Sequence, residues 1–194
     1  HVGDQEGDHA QGEQQEHQRV GEGVHHAPPQ GHELLEDGGV AGQGVGQGAA
    51  ALAGEGAGRA GAGLVTIACP VSIADILATK CTEAMTAPVP DTGEHCFGAD
   101  SEALLLSLAR ERDVVALGPG IGLAAETQAL VRSLVAALDC PLVLDADGLN
   151  ALGAAPSMLK GRKGPSILTP HPGEAARLMG LTAAEVNRDR VGAA

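Results

Sequence analysis

Three short motifs hold the residues of this chain best suited to chemistry: Leu117-Gly-Pro-Gly-Ile-Gly122, Leu144-Asp-Ala-Asp-Gly-Leu-Asn150 and Leu168-Thr-Pro-His-Pro-Gly-Glu174. The first supplies glycines, which let a backbone approach a nucleotide or other polar ligand closely, ahead of a helix start with unpaired N–H groups. A loop of this kind taken alone serves equally as a tight turn. The second supplies two carboxylates, Asp145 and Asp147, suited to acid–base work or ligand positioning and equally to anchoring a loop and capping a helix. Asn150, further along, either satisfies buried backbone or touches ligand. The third holds His171 between Pro170 and Pro172, which keep the backbone extended and stiffen the presentation of the imidazole. Gly173 permits close approach and Glu174 opens a helix, so one segment offers an imidazole, backbone amides and a carboxylate.

The elements that must position these groups are legible around them. The apolar runs 113–117, 141–144 and 166–168 read as buried parallel strands, and each motif starts where its strand ends. In open α/β sheets that edge is where ligands bind. Three motifs there converge on one crevice. Further elements read as a strand at 64–68, a short helix at 73–78, one edge strand in the connection from Met85 to Phe97, and a helix at 101–110 with Ser101 as N-cap. Leu130, Leu134 and Leu138 mark a helix over 124–138, with a short helix near Leu149 and another at 173–179. Ile167, Leu168, Leu178 and Met179 are read as core. Strands alternating with helices imply an α/β fold with a parallel sheet and right-handed crossovers.

Composition bounds the function. The 194 residues suffice for one sizeable core. A net charge of −13 and a single aromatic residue, Phe97, exclude the basic footprint and stacking rings of a nucleic-acid binder. Cys69, Cys81, Cys96 and Cys140 show no Cys-x-x-Cys spacing, which favours buried reduced thiols over a zinc site or a disulfide framework. No apolar stretch approaches the ~18 residues of a membrane span and no signal-peptide pattern opens the chain, so no membrane partner and a cytoplasmic location are expected. Residues 1–47, rich in Gly, Gln, Glu and His, offer nothing to bury. This segment is expected to be disordered or to arise from a shifted reading frame. Its histidines lack the scaffold of a metal site.

Together the motifs resemble the ADP-dependent NAD(P)H-hydrate dehydratases of the ribokinase-like superfamily. The resemblance runs from about Gly48 to the end. It includes Arg59-Ala-Gly-Ala-Gly-Leu-Val-Thr66 and Thr82-Glu-Ala-Met-Thr-Ala-Pro88, and is closest over Thr169-Pro-His-Pro-Gly-Glu-Ala-Ala-Arg177. It implies a three-layer fold with a mainly parallel sheet, incomplete at both ends here, with the family domain at 48–194 and its helix after the glycine-rich turn at 49–61. It implies a hydro-lyase that restores NADH or NADPH from the hydrated forms NADHX and NADPHX, using ADP or ATP and Mg²⁺. Substrate binding falls by resemblance on Gly120, Gly122 and the run His171, Pro172, Gly173, Glu174, Ala175, Ala176 and Arg177, with Asp145, Asp147 and Asn150 supporting the pocket. None of these is assigned as a metal ligand. The family's lysine-glycine segment for ADP and its Gly-Thr-Gly-Asp segment with the catalytic Asp would follow residue 194, so the isolated chain is expected to be inactive. A NAD(P)H-hydrate epimerase, fused or separate, is the implied partner, and homo-oligomerisation stays open. Two alternatives remain: a hydroxymethylpyrimidine- or hydroxyethylthiazole-type kinase of the same superfamily, and a non-catalytic fragment.

Overall fold

The computed structural model describes residues 45–153 and 155–193. The expectations for the first 44 residues lie outside these. Helix α1 (Val45–Arg59) forms despite Gly56 and Gly58, each costing ~1 kcal/mol relative to alanine. It begins at Val45 and not at Ala49, so the compositional boundary at residues 47 and 48 falls inside it. Gly61, read as the helix end, is instead its terminator: φ is +103°, and the Ala62 N–H reaches Ala57 O at 3.0 Å.

Strands β1 (Thr66–Pro70) and β2 (Met85–Val89) form one parallel pair. Strands β3 (Val115–Leu117), β4 (Leu142–Leu144) and β5 (Ser166–Leu168) form a three-stranded parallel sheet in the order β3-β4-β5. The register puts Leu117 beside Leu144 and Leu144 beside Leu168, so the three motifs leave the sheet side by side. Among the described residues the strands thus form two ladders. Strand β1 also starts two positions later than the 64–68 reading, because Leu64 is 63% exposed and pairing begins at Thr66.

Helices α2 (Ala74–Lys80), α3 (Glu102–Arg110), α4 (Ala125–Ala137), α5 (Asp147–Leu152) and α6 (Pro172–Met179) match the expected alternation. The main core lies between α4 and the three-stranded sheet, where Leu130, Val131, Leu134 and Val135 meet Leu142, Leu144 and Leu149. Arg162 clamps this layer, donating to Val135 O at 2.6 Å, Cys140 O at 2.7 Å and Ser166 Oγ at 3.0 Å. A smaller core joins Ala51, Ile67, Cys69, Ile73, Ala74, Leu77 and Cys81.

Several local readings need correction. Ser101 does not cap α3 through its side chain. It is fully buried in the preceding 3-10 turn, donating to Pro90 O at 2.7 Å and accepting from Gly98 N–H at 3.2 Å. Ile167, on β5, the last described strand of its sheet, and Met179, at the carboxyl end of α6, are exposed, while Leu168 and Leu178 do pack on the core. Cys96 and Cys140 are only half-buried, although all four cysteines are free. Helix α7 (Ala183–Arg188) was not anticipated. Its signal was in the sequence as Thr182 followed three residues later by Glu185, a reciprocal capping box.

Candidate functional site at the carboxyl edge of the sheet

The glycine loop and the Asp145–Asn150 loop are fitted backbone to backbone. A Cβ on Gly118, whose φ is +134°, would stand 1.8 Å from Asp145 O, and one on Gly148 would stand 2.5 Å from Leu117 O. Between the two acids, Ala146 takes φ +48°, a conformation that costs a non-glycine residue ~1–3 kcal/mol. The turn keeps the two carboxylates apart in role. Asp147 accepts the Gly122 N–H at 3.0 Å on one oxygen and Asn150 Nδ2 at 3.4 Å on the other. Asp145, at the end of β4, makes no side-chain hydrogen bond among the described residues.

The third motif joins the same network. Arg177, one helical turn beyond Gly173, donates to Asn150 Oδ1 at 2.6 Å and to Gly173 O at 3.3 Å. A continuous chain therefore runs Gly122, Asp147, Asn150, Arg177, Gly173. Thr169 fastens β5 to β4, donating to Leu144 O from its N–H at 3.1 Å and from its hydroxyl at 3.3 Å.

His171 and Glu174 form a capping box at the start of α6. The His171 N–H donates to Glu174 Oε2 at 2.9 Å and Nδ1 accepts the Gly173 N–H at 3.0 Å. With Nδ1 as acceptor, Nε2 carries the proton and faces Glu174 Oε1 at 3.3 Å. The imidazole side chain is 62% exposed, whereas the Glu174 side chain is 6% exposed. Glu174 thus serves the helix end and is not presented as a free carboxylate. Ala175 and Ala176 turn their side chains into a small core with Val186, so any contact they make with ligand runs through backbone. Gly120 presents backbone at the rim, where a Cβ would lie 2.2 Å from Gly46 O of α1.

No group of three or more His, Cys, Asp or Glu side chains converges among the described residues, and both oxygens of Asp147 are engaged. No helix among them is long and apolar enough to cross a membrane. Gly118, Gly148 and Thr169 lie within the motifs but had no separate role from sequence: the glycines fit backbone to backbone and Thr169 bonds Leu144 O through its N–H and hydroxyl, contacts that residue type alone does not announce.

The chain is an α/β domain of the ribokinase-like fold class, with parallel strands and glycine-lined loops gathered at their carboxyl edge. It shares this fold with a ribokinase-like superfamily protein of Enterococcus faecalis, at TM-score 0.58 and 26% identity over 74% of this chain and 48% of that one. The chain belongs to the family described as Carb_kinase, NAD(P)H-hydrate dehydratase, whose model matches residues 40–194. The ADP/ATP-dependent NAD(P)H-hydrate dehydratase of Bacillus subtilis, co-crystallised with ATP/Mg²⁺, is 32% identical at TM-score 0.54, covering 75% of this chain and 47% of that one. The bifunctional NAD(P)H-hydrate repair enzyme Nnr of Moorella thermoacetica is 46% identical over 144 residues, 74% of this chain and 27% of that protein. The Nnr enzyme of Thermofilum pendens is 35% identical over 155 residues, 80% of this chain and 30% of that protein. The chain therefore spans less than a third of the length of these Nnr enzymes and just under half of the B. subtilis dehydratase.

Proposed function

We propose that this chain carries the substrate-binding part of a dehydratase acting on hydrated NADH or NADPH, a hydro-lyase of metabolite repair. The observation that carries the reading is the hydrogen-bonded chain from Gly122 through Asp147 and Asn150 to Arg177. It makes one surface of all three motifs, as recognition of one extended ligand requires. In this reading the loop backbone at Gly120 and Gly122 approaches the dinucleotide closely. His171, Pro172 and Gly173 form the opposite wall, and Arg177 presents a fixed guanidinium to a phosphate or carboxamide oxygen.

The family resemblance supplies the rest of the reaction. Phosphoryl transfer from ADP or ATP to the ring hydroxyl turns a poor leaving group into a good one, with Mg²⁺ as the usual companion of the nucleotide. The B. subtilis relative crystallised with ATP/Mg²⁺ supports that assignment. In this reading the part of the described residues is to bind and orient the hydrate. The bifunctional relatives support partnership with a second activity, identified by the resemblance as the hydrate epimerase. Four free thiols suit a reducing cytoplasm.

The test is titration of the 194-residue chain with NADPHX by calorimetry. Saturable binding is expected, weakened roughly ten- to hundredfold by Arg177→Ala, the loss of one charge-assisted hydrogen bond worth ~1.5–3 kcal/mol. Equal affinity of the wild type and the variant would overturn the site assignment.

A further inference from the structure

Gly122 stands where two walls of the crevice meet. On one side its N–H donates to Asp147 Oδ2 at 3.0 Å and so joins the chain of bonds that runs through Asn150 to Arg177. On the other side stands Cys96, from the connection between β2 and α3: a Cβ on Gly122, whose φ is +94°, would lie 3.6 Å from Cys96 Sγ. The thiol is half-buried. The turn that carries it therefore borders the same carboxyl edge, although none of the three motifs contains it.

This second wall is held in place from within and from both ends. The Thr92 N–H and hydroxyl both donate to Cys96 O, at 3.0 and 3.3 Å, and close the turn. The Gly93 N–H donates to Asp91 Oδ1 at 2.9 Å. At the ends, the Thr127 hydroxyl donates to Phe97 O at 2.8 Å and the Ser101 hydroxyl to Pro90 O at 2.7 Å. Charge separates the two walls. Residues 90–102 include Asp91, Glu94, Asp100 and Glu102 and no Lys or Arg. The opposite wall carries Arg177, and the one acid between Thr169 and Arg177 is Glu174, which is turned into the start of α6. Burial, then Glu94 and Asp91, push the Cys96 thiol up, so it stays neutral.

We propose that the turn from Asp91 to Cys96 is the wall against which an uncharged ring of the dinucleotide lies, with the phosphates kept to the Arg177 side of Gly122. A carboxylate repels a phosphate, but it accepts a hydrogen bond from an amide or amino group. A neutral thiol packs as a small hydrophobe. Together they suit a ring that carries an NH₂ donor, which the hydrated nicotinamide has in its carboxamide and adenine in its exocyclic amine. Thr92, Gly93 and the backbone of Cys96 are bonded to one another or to Asp91, so the turn presents a fixed surface. The inference rests on the dehydratase reading and gives its ligand a polarity.

The experiment is footprinting of the full 194-residue chain with iodoacetamide, read cysteine by cysteine by mass spectrometry, with binding followed in parallel by calorimetry. NADHX is expected to slow alkylation of Cys96 by about tenfold or more, because the reaction needs an accessible thiol. Cys140, which precedes β4, is expected to keep its rate. Inorganic pyrophosphate is expected to give Cys96 no such protection. ADP-ribose, which carries adenine and no nicotinamide, separates the two rings: protection at its saturation places adenine against Cys96, and lack of protection places the nicotinamide there. NADHX that binds yet leaves Cys96 reactive, that slows Cys96 and Cys140 alike, or that protects no better than pyrophosphate overturns this inference alone. NADHX that does not bind overturns the dehydratase reading, and this inference falls with it.

Discussion

The two sheets of this domain are built to one plan and held together differently. Strands β3, β4 and β5 rest on a continuous core, and their following loops are joined by Gly122, Asp147, Asn150 and Arg177. Of β1 and β2, Ile67 and Cys69 rest on a smaller core while Val89 joins the larger one, and their loops are joined by a local knot. In that knot Ser72 donates to Asp91 from both its hydroxyl and its N–H, and His95, held at φ +59°, reaches Ser72 Oγ at 2.7 Å through Nδ1. One network crosses between motifs. The other closes on itself. The lesson is that parallel topology sets where loops gather, whereas side chains that bridge from loop to loop decide whether the gathering forms a site.

The largest break in this contrast is expected from Gly118→Ala. Its Cβ would stand 1.8 Å from the Asp145 carbonyl at a φ of +134°, with only backbone to yield. The loss should be about 3 kcal/mol or more, read as a collapsed denaturation midpoint or as insoluble protein. Next, Leu144→Ala and Leu77→Ala remove fully buried leucines from the large and the small core. Each should cost ~2–5 kcal/mol. Leu144→Ala is expected to lower exchange protection throughout, Leu77→Ala mainly in β1, β2 and α2, so uniform loss from both variants would show that the two sheets unfold as one unit.

His171→Ala sharpens the comparison within the site. The side chain caps α6 and pairs with Glu174, so its removal is expected to cost ~1 kcal/mol of stability, measurable in urea, beyond any effect on hydrate affinity. An unchanged midpoint would show that the capping box contributes nothing in solution.

The smallest effect is expected in the closed knot. Donation by the Ser72 hydroxyl, then by the Gly93 N–H, holds the Asp91 carboxyl below its ordinary 3.8. Because the folded value is depressed, this contribution is fully present above the ordinary value and is lost as pH falls through the lower, folded one. Carbon-detected titration should place the Asp91 midpoint below 3.8 in the wild type and raise it in Ser72→Ala. Equal midpoints would break the assignment of the shift to Ser72.

What was legible in the sequence follows from how local each signal is. The strands leading into the three motifs were readable because short apolar runs followed by glycine or proline leave few alternatives, and the observed β3, β4 and β5 lie within the runs read for them. The role of Ser101 was not readable: a serine before a helix looks like a cap, and only tertiary structure brings Pro90 O within its reach. Glu174 reads from the sequence both as opening a helix and as a carboxylate for ligand, and the structure shows it buried and accepting the His171 N–H at the start of α6. The grouping of the described strands into two ladders left no local mark, since periodicity reports that a strand forms and not which strand it pairs with.

The mutual fit of Gly118 and Gly148 also sets limits on sequence change in this domain. Each position is closed by main-chain atoms of the other's loop, so no second substitution elsewhere can open room for a side chain at either. In a randomised library both positions should therefore come back as glycine in every folded clone, whatever activity is selected. That makes the pair an internal gauge of folding that is independent of function.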